Sequence, residues 1–347
     1  MGGITRNSSH SEPGVGPGEE SAAGIRNWPC LFRFVLSLFS ILACPLVLAA
    51  QTPQALLAAG RADQALEALD QQIRTTPTAE AYNLLCRAHF EIENWDAGIP
   101  SCEKAVSMAP DNGLYHLWLG RIYGEKADHA GFLSAAGLAK KVRAEFERAV
   151  ELTPNSWEAR SDLAEFYLEA PAIVGGGKDK ARAQADLLMP LNPAIGHWVR
   201  ARIAERGKDN VAAEQEYRAA IAASQGGARA WVNLAGFFRR TNRPDEMEQA
   251  LRTMESRPLD SPAALADGAS NLLRAGRDYP TAVRLLRRYI ASSTTVEEVP
   301  VFKAQYLLGE VLEKQGDHAA AAEQYRAALA LAHGYRQAQE GLKRATR

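Results

Sequence analysis

The chain has 347 residues, with 40 Lys and Arg against 41 Asp and Glu and a formal net charge of −1. That balance leaves no basic footprint for general nucleic-acid binding. Apolar residues at 46% and charged residues at 23% suit a folded protein, and 27 Gly with 17 Pro exclude a collagen-like or wholly low-complexity chain.

Residues 1–27 are rich in Gly, Ser, Pro and Glu without helical or strand periodicity, and they read as a disordered leader. An apolar run from Phe34 to Ala50 follows Arg26 and Arg33. A positive flank, an apolar stretch and small residues at its end form the pattern of a secretory signal peptide. Val47-Leu48-Ala49-Ala50, before Gln51, is the expected cleavage region. Two other readings stay open. Leu31–Ala50 has the length of a membrane anchor, although Pro45 lies within it. Ile41-Leu42-Ala43-Cys44 loosely matches a lipoprotein signal. Each reading puts the rest of the chain outside the cytoplasm, because the positive charges precede the run. The expectation is a periplasmic or extracellular protein, or one held at the inner membrane with its C-terminal part outside.

From about Gln51 to Tyr335 the sequence repeats with a period of about 34 residues. A shortened first helix pair ends near Thr78, with Pro53 suited to a helix start and Gly60 to its turn. Further pairs are predicted to begin near Ala79, Gly113, Trp157, Ala194, Ala228, Pro262 and Phe302. Residues 336–347 read as a polar-faced helix that caps the end. The pair from Gly113 is too long by about ten residues relative to the period, with the excess around Asp128–Lys141. Its Phe132, Leu133 and Leu138 suit either a longer helical hairpin or a contact surface.

Three units carry the pattern clearly. Ala79–Asn112 has Tyr82, Leu85, Trp95, Ala105 and Pro110; Ala228–Ser261 has Trp231, Leu234, Ala235, Phe238, Leu251 and Met254. Phe302–Tyr335 has Leu308-Gly309, Gly316-Asp317, Ala321, Tyr325 and Ala328. Small residues recur at one first-helix position, as Gly120, Ala164, Ala235 and Gly309, with aromatics such as Phe146, Tyr217 and Tyr325 to fill the space beside them. A lone pair of such helices cannot bury its apolar faces, whereas stacked pairs share a continuous core. The residues resemble the tetratricopeptide-repeat family. The resemblance implies an all-α, right-handed alpha-solenoid of about eight helix-turn-helix repeats.

The same resemblance implies that the first helices line a concave groove where a partner protein or extended segment lies. By repeat position the inward residues include Asn83, Arg87, Arg121, Arg202, Asn233 and Arg239. Arg and Asn suit carboxylate recognition. Glu158, Glu165, Glu310 and Glu313 occupy matching positions elsewhere, so a mixed-charge groove is expected rather than a single acidic-tail clamp. The resemblance also implies that Cys86 and Cys102 fall on facing positions of one repeat. In an oxidising compartment thiols so placed form a disulfide, and otherwise they are buried free thiols.

Reactive chemistry is not visible in the sequence. The chain lacks a His-Glu-x-x-His helix, a Gly-x-Ser-x-Gly elbow and a Cys-x-x-Cys pair. The glycine-rich stretch before Lys178 lacks a P-loop's first glycine, with Ala172 in its place, and the following hydroxyl, with Asp179 in its place. His89 sits at an apolar-face position and reads as a packed residue. The expectation is a non-catalytic interaction scaffold of the cell envelope, without cofactor or metal and with a protein or peptide partner. The alternative is a self-associating assembly factor that uses the convex face and the 128–141 insertion. Membrane contact is expected only through an uncleaved N-terminal segment, and oligomerisation is left open.

Overall fold

The structure is a computed structural model that describes residues 52–257, 259–292 and 296–347. The chain divides into Met1–Ala49 and Ala50–Arg347. The signal segment and its alternatives lie outside the described residues. No helix among the described residues is long and apolar enough to cross a membrane.

The described residues form helices in consecutive antiparallel pairs. The pairs are α1 (Pro53–Ala58) with α2 (Ala62–Thr75), α3 (Ala79–Glu91) with α4 (Trp95–Met108), and α5 (Gly113–Asp128) with α6 (Phe132–Leu152). Next come α7 (Trp157–Glu169) with α8 (Lys178–Leu188), α9 (Pro193–Arg206) with α10 (Asn210–Ala223), and α11 (Ala228–Arg240) with α12 (Pro244–Glu255). The last are α13 (Ala263–Ala275) with α14 (Tyr279–Ile290) and α15 (Val301–Lys314) with α16 (His318–Leu329), followed by α17 (Arg336–Ala345). Each pair packs on the next, which gives an all-α repeat solenoid.

Local sequence sets the helix starts. Thr78, Ser156 and Asn192 accept hydrogen bonds from backbone N–H groups of the first turns of α3, α7 and α9. The small residues act as the spacing suggests. A Cβ on Gly120 would fall 2.5 Å from the Phe146 ring, and one on Gly309 would fall 2.6 Å from Tyr325. The surplus between Gly113 and Ser156 is absorbed by lengthening both helices, to 16 residues in α5 and 21 in α6. The glycine-rich stretch becomes a short 3-10 turn, Ala172–Val174, ahead of α8. Gly176 is required there, because a Cβ would lie 1.8 Å from the Ala170 carbonyl oxygen.

The array closes on itself. The turn between α1 and α2 abuts the start of α15, where Gly60 has φ +67° and a Cβ would lie 2.7 Å from the Val301 nitrogen. Asp63 N–H donates to the Leu331 carbonyl at 3.1 Å, and its carboxylate accepts from His333 N–H at 2.9 Å. Gln337 on α17 donates to Glu93 at 2.8 Å. Ala62 and Ile92 belong to the same buried cluster as Phe302, Ala332 and Tyr335. The apolar ends that an open solenoid must cap therefore cover each other.

Candidate functional site

The first helix of each pair presents the inner face, and the six residues predicted to line it divide into two groups. Arg202 on α9 and Asn233 and Arg239 on α11 come together around a cavity of about 430 Å³. Asn83 and Arg87 lie elsewhere, on α3, where the last repeat meets the first. Arg121 on α5 is held by Asp162 of α7 at 2.6 Å.

The cavity spans four first helices, with Glu165 from α7, Trp198 from α9, and Asp267, Ser270, Asn271 and Arg274 from α13. A second cavity of about 320 Å³ adjoins it and shares Arg239 and Arg274. Most arginines nearby are neutralised by a neighbouring repeat. Arg202 meets Glu169 at 3.0 Å, Arg240 meets Glu205 at 2.6 Å, and Arg277 meets Glu248 at 2.8 Å. Arg239 and Arg274 differ. Neither lies within ion-pair distance of a carboxylate among the described residues. Arg239 donates to the Asn271 side-chain oxygen at 3.0 Å, and Asn271 in turn donates to the Asp267 carbonyl at 3.1 Å.

The electrostatics follow from that placement. Burial lowers the Arg239 pKa, and the adjacent cations Arg274 and Arg240 lower it further. Burial raises the Asp267 carboxyl, against the pull of Arg229 and Arg274. It raises Glu165 likewise, against Arg202. An anion entering between Arg239 and Arg274 relieves the repulsion between them, while the Asn233 and Asn271 amides and the Ser270 hydroxyl supply directional hydrogen bonds.

Arg274 and Asn271 were not predicted from sequence. The signal for Arg274 was present, because it stands at the same place in α13 as Arg239 does in α11, the next-to-last residue of a helix of 13.

On α3 the geometry is different. The Arg87 guanidinium makes a two-pronged ion pair with Glu297, which lies in the segment between α14 and α15. Arg87 and Arg121 both lie over the Trp118 ring, at 5.1 and 4.8 Å from its centroid. Asn83, one turn before Arg87, is buried, and its Nδ2 has no hydrogen-bond partner among the described residues. Glu91, one turn after Arg87, is 3% exposed and lies 3.3 Å from the Lys303 ammonium of α15. Burial, opposed mainly by Lys303, raises its carboxyl to about 7.

Cys86 and Cys102 are fully buried on α3 and α4, with Cα atoms 5.1 Å apart and their sulfurs at bonding distance. His89 is half-buried and packs its Cβ close to Gly98 of α4. Burial lowers its pKa. His116 and His197 are engaged by Glu145 and Glu216 at 2.6 and 2.7 Å. No cluster of three His, Cys, Asp or Glu side chains among the described residues is placed to hold a metal.

The family model described as tetratricopeptide repeat matches residues 54–113 and 268–346. No curated protein matches the chain. Among solved structures, the APC/C hetero-tetramer Cut9–Hcn1 is similar at 15% identity and a TM-score of 0.39, over 85% of this chain and 54% of that one. This chain thus spans about half the length of that protein. A tetratricopeptide protein of Thermus thermophilus is similar at 18% identity and a TM-score of 0.45, covering 54% of this chain and 95% of that one. One from Parabacteroides merdae matches at 16% identity and a TM-score of 0.40, over 78% and 99% of the two chains. The two matched stretches lie at opposite ends of the series of paired helices among the described residues, so the chain carries tetratricopeptide-like repeats towards both of those ends.

Proposed function

We propose that this protein is an exported, non-catalytic scaffold that binds an acidic, extended segment of a partner protein on its inner face, at the cavity between α7 and α13. The tetratricopeptide fold supports protein–protein interaction in general. One observation carries the finer reading: Arg239 and Arg274 line a cavity of about 430 Å³, and neither has a carboxylate within ion-pair distance among the described residues, although Asp267 and Glu165 also line it. Arg239 is half-buried and Arg274 exposed, and two cations beside one another favour an incoming anion. Trp198 on the cavity wall offers an apolar surface for the rest of the segment. Export rests on the N-terminal sequence, which has the order of a signal peptide. In the same reading Cys86 and Cys102 are bridged in the exported protein.

The test is a titration with a capped pentapeptide of Asp and Glu at low salt, read by tryptophan emission. The wild type responds saturably, and the response is lost in Arg239→Ala/Arg274→Ala. An equal response in both proteins would refute the site. A second reading, self-association through the 128–141 insertion, has one observation in its favour. Phe132, at the start of the overlong α6, is 88% exposed. Under that reading Phe132→Asp abolishes a concentration-dependent increase in size during sedimentation.

A further inference from the structure

The segment between α14 and α15 places a short acidic turn on the inner face. Val296 and Val299 form an isolated antiparallel bridge, with Glu297 and Glu298 at its tip. The fully buried Tyr289 pins the turn from the α14 side. Its hydroxyl donates to the Val299 carbonyl and accepts from Val296 N–H. Glu297 reaches Arg87 on α3, 210 residues away in sequence, while Glu298 remains exposed. The Arg87 and Glu297 side chains are 14% and 20% exposed, so the pair is largely removed from water.

The surface that receives Glu297 is larger than Glu297 uses. Arg87 is oriented by Trp118, whose ring also carries Arg121. Asn83 lies one turn along the same helix and leaves a buried amide N–H without an acceptor among the described residues. A buried donor left unmet disfavours the state that leaves it so. A ligand that brings a carboxylate to Arg87 and a carbonyl to Asn83 meets both groups, whereas the turn meets one.

We propose that Asn83, Arg87 and Trp118 form a second inner-face site for an acidic extended protein segment, and that the 296–299 turn is its intramolecular occupant. A partner segment of that chemistry displaces Glu297. Displacement loosens the contact between the second repeat and the segment that leads into the last one, because Arg87–Glu297 is one of the links across that junction. This site is separate from the α7–α13 cavity and does not depend on it.

The test uses the whole chain and a fluorescein-labelled peptide that copies residues 294–300, Thr-Thr-Val-Glu-Glu-Val-Pro, with binding read by anisotropy. Wild type binds weakly because the site is occupied. Glu297→Gln empties the site and tightens binding at least tenfold. Adding Arg87→Ala removes the gain, adding Arg239→Ala/Arg274→Ala leaves it, and Glu298→Gln alone does nothing. Equal binding by wild type and Glu297→Gln, or a gain that survives Arg87→Ala, would overturn the proposal. If Glu297→Gln unfolds the chain, hydrogen exchange of wild type decides. Saturating peptide must then raise exchange at the Val296 and Val299 amides, and unchanged exchange overturns the proposal.

Discussion

Arg87 on the second repeat and Glu297 before the eighth are joined by a two-pronged ion pair across the junction of the array. The pair is mostly shielded from solvent, so losing one partner leaves a charge poorly solvated. Arg87→Met or Glu297→Gln alone is expected to cost about 2 kcal/mol, and the double variant less than the sum of the two. A double-mutant cycle in urea measures the coupling. Simple additivity would mean that the two side chains are adjacent without being energetically linked.

Glu91, beside this pair, gives the junction a pH dependence. Its carboxyl is raised from the usual range to about 7 by burial, with Lys303 and Arg87 opposing and Glu297 adding to the rise. A group raised in the folded state binds its proton on folding. Its contribution to stability is therefore full below the unfolded pKa and declines as pH rises to about 7. Glu91→Gln mimics the protonated form. The variant is expected to match wild type near pH 4.5 and to exceed it above pH 7 by on the order of 3 kcal/mol. Urea melts at intervals between these values check the trend, and a constant difference across the range would contradict it.

Two glycines of α5 separate crowding from helix propensity. A Cβ at Gly120 would meet the Phe146 ring, whereas one at Gly124 has nothing within 4 Å. Gly120→Ala is expected to destabilise by about 1–3 kcal/mol through overpacking. Gly124→Ala is expected to stabilise by about 0.5–1 kcal/mol through helix propensity. Thermal melts of the two variants should move in opposite directions.

Cys86 and Cys102 are separated by 16 positions. A bridge closing a loop of that size contributes about 3 kcal/mol, mainly by restricting the unfolded chain. Intact mass of the protein prepared under oxidising conditions, before and after reduction, is expected to differ by about two hydrogens' mass, one per thiol formed. Reduction should lower the urea midpoint, and two free thiols in the native protein from an oxidising preparation would end the prediction.

Much of the fold was legible because the repeat writes the same physics several times. Helices begin at Ala79, Gly113, Trp157 and Ala228 as the spacing predicts, and within one residue of it at Ala194, Pro262 and Phe302. Gly120 and Gly309 face their aromatic partners because those two helix pairs approach so closely that a Cβ would meet the ring. Closure was not legible. It depends on Asp63 meeting His333 and on Glu91 meeting Lys303, and no periodic signal links residues so distant. The site was half legible for a related reason. Repeat position indicated Arg202, Asn233 and Arg239, but their neighbours decide which cations are neutralised. Glu169 and Glu205 take up Arg202, while Arg239 faces Arg274.

The most direct test of the binding site is a photo-crosslinking amino acid at Asn271, on the wall of the cavity, in intact cells. The account predicts that one protein is captured through an acidic extended segment, and that capture is lost in Arg239→Ala/Arg274→Ala but retained in Phe132→Asp. Equal capture with and without the two arginines would contradict it, and would move the interaction away from the α7–α13 cavity.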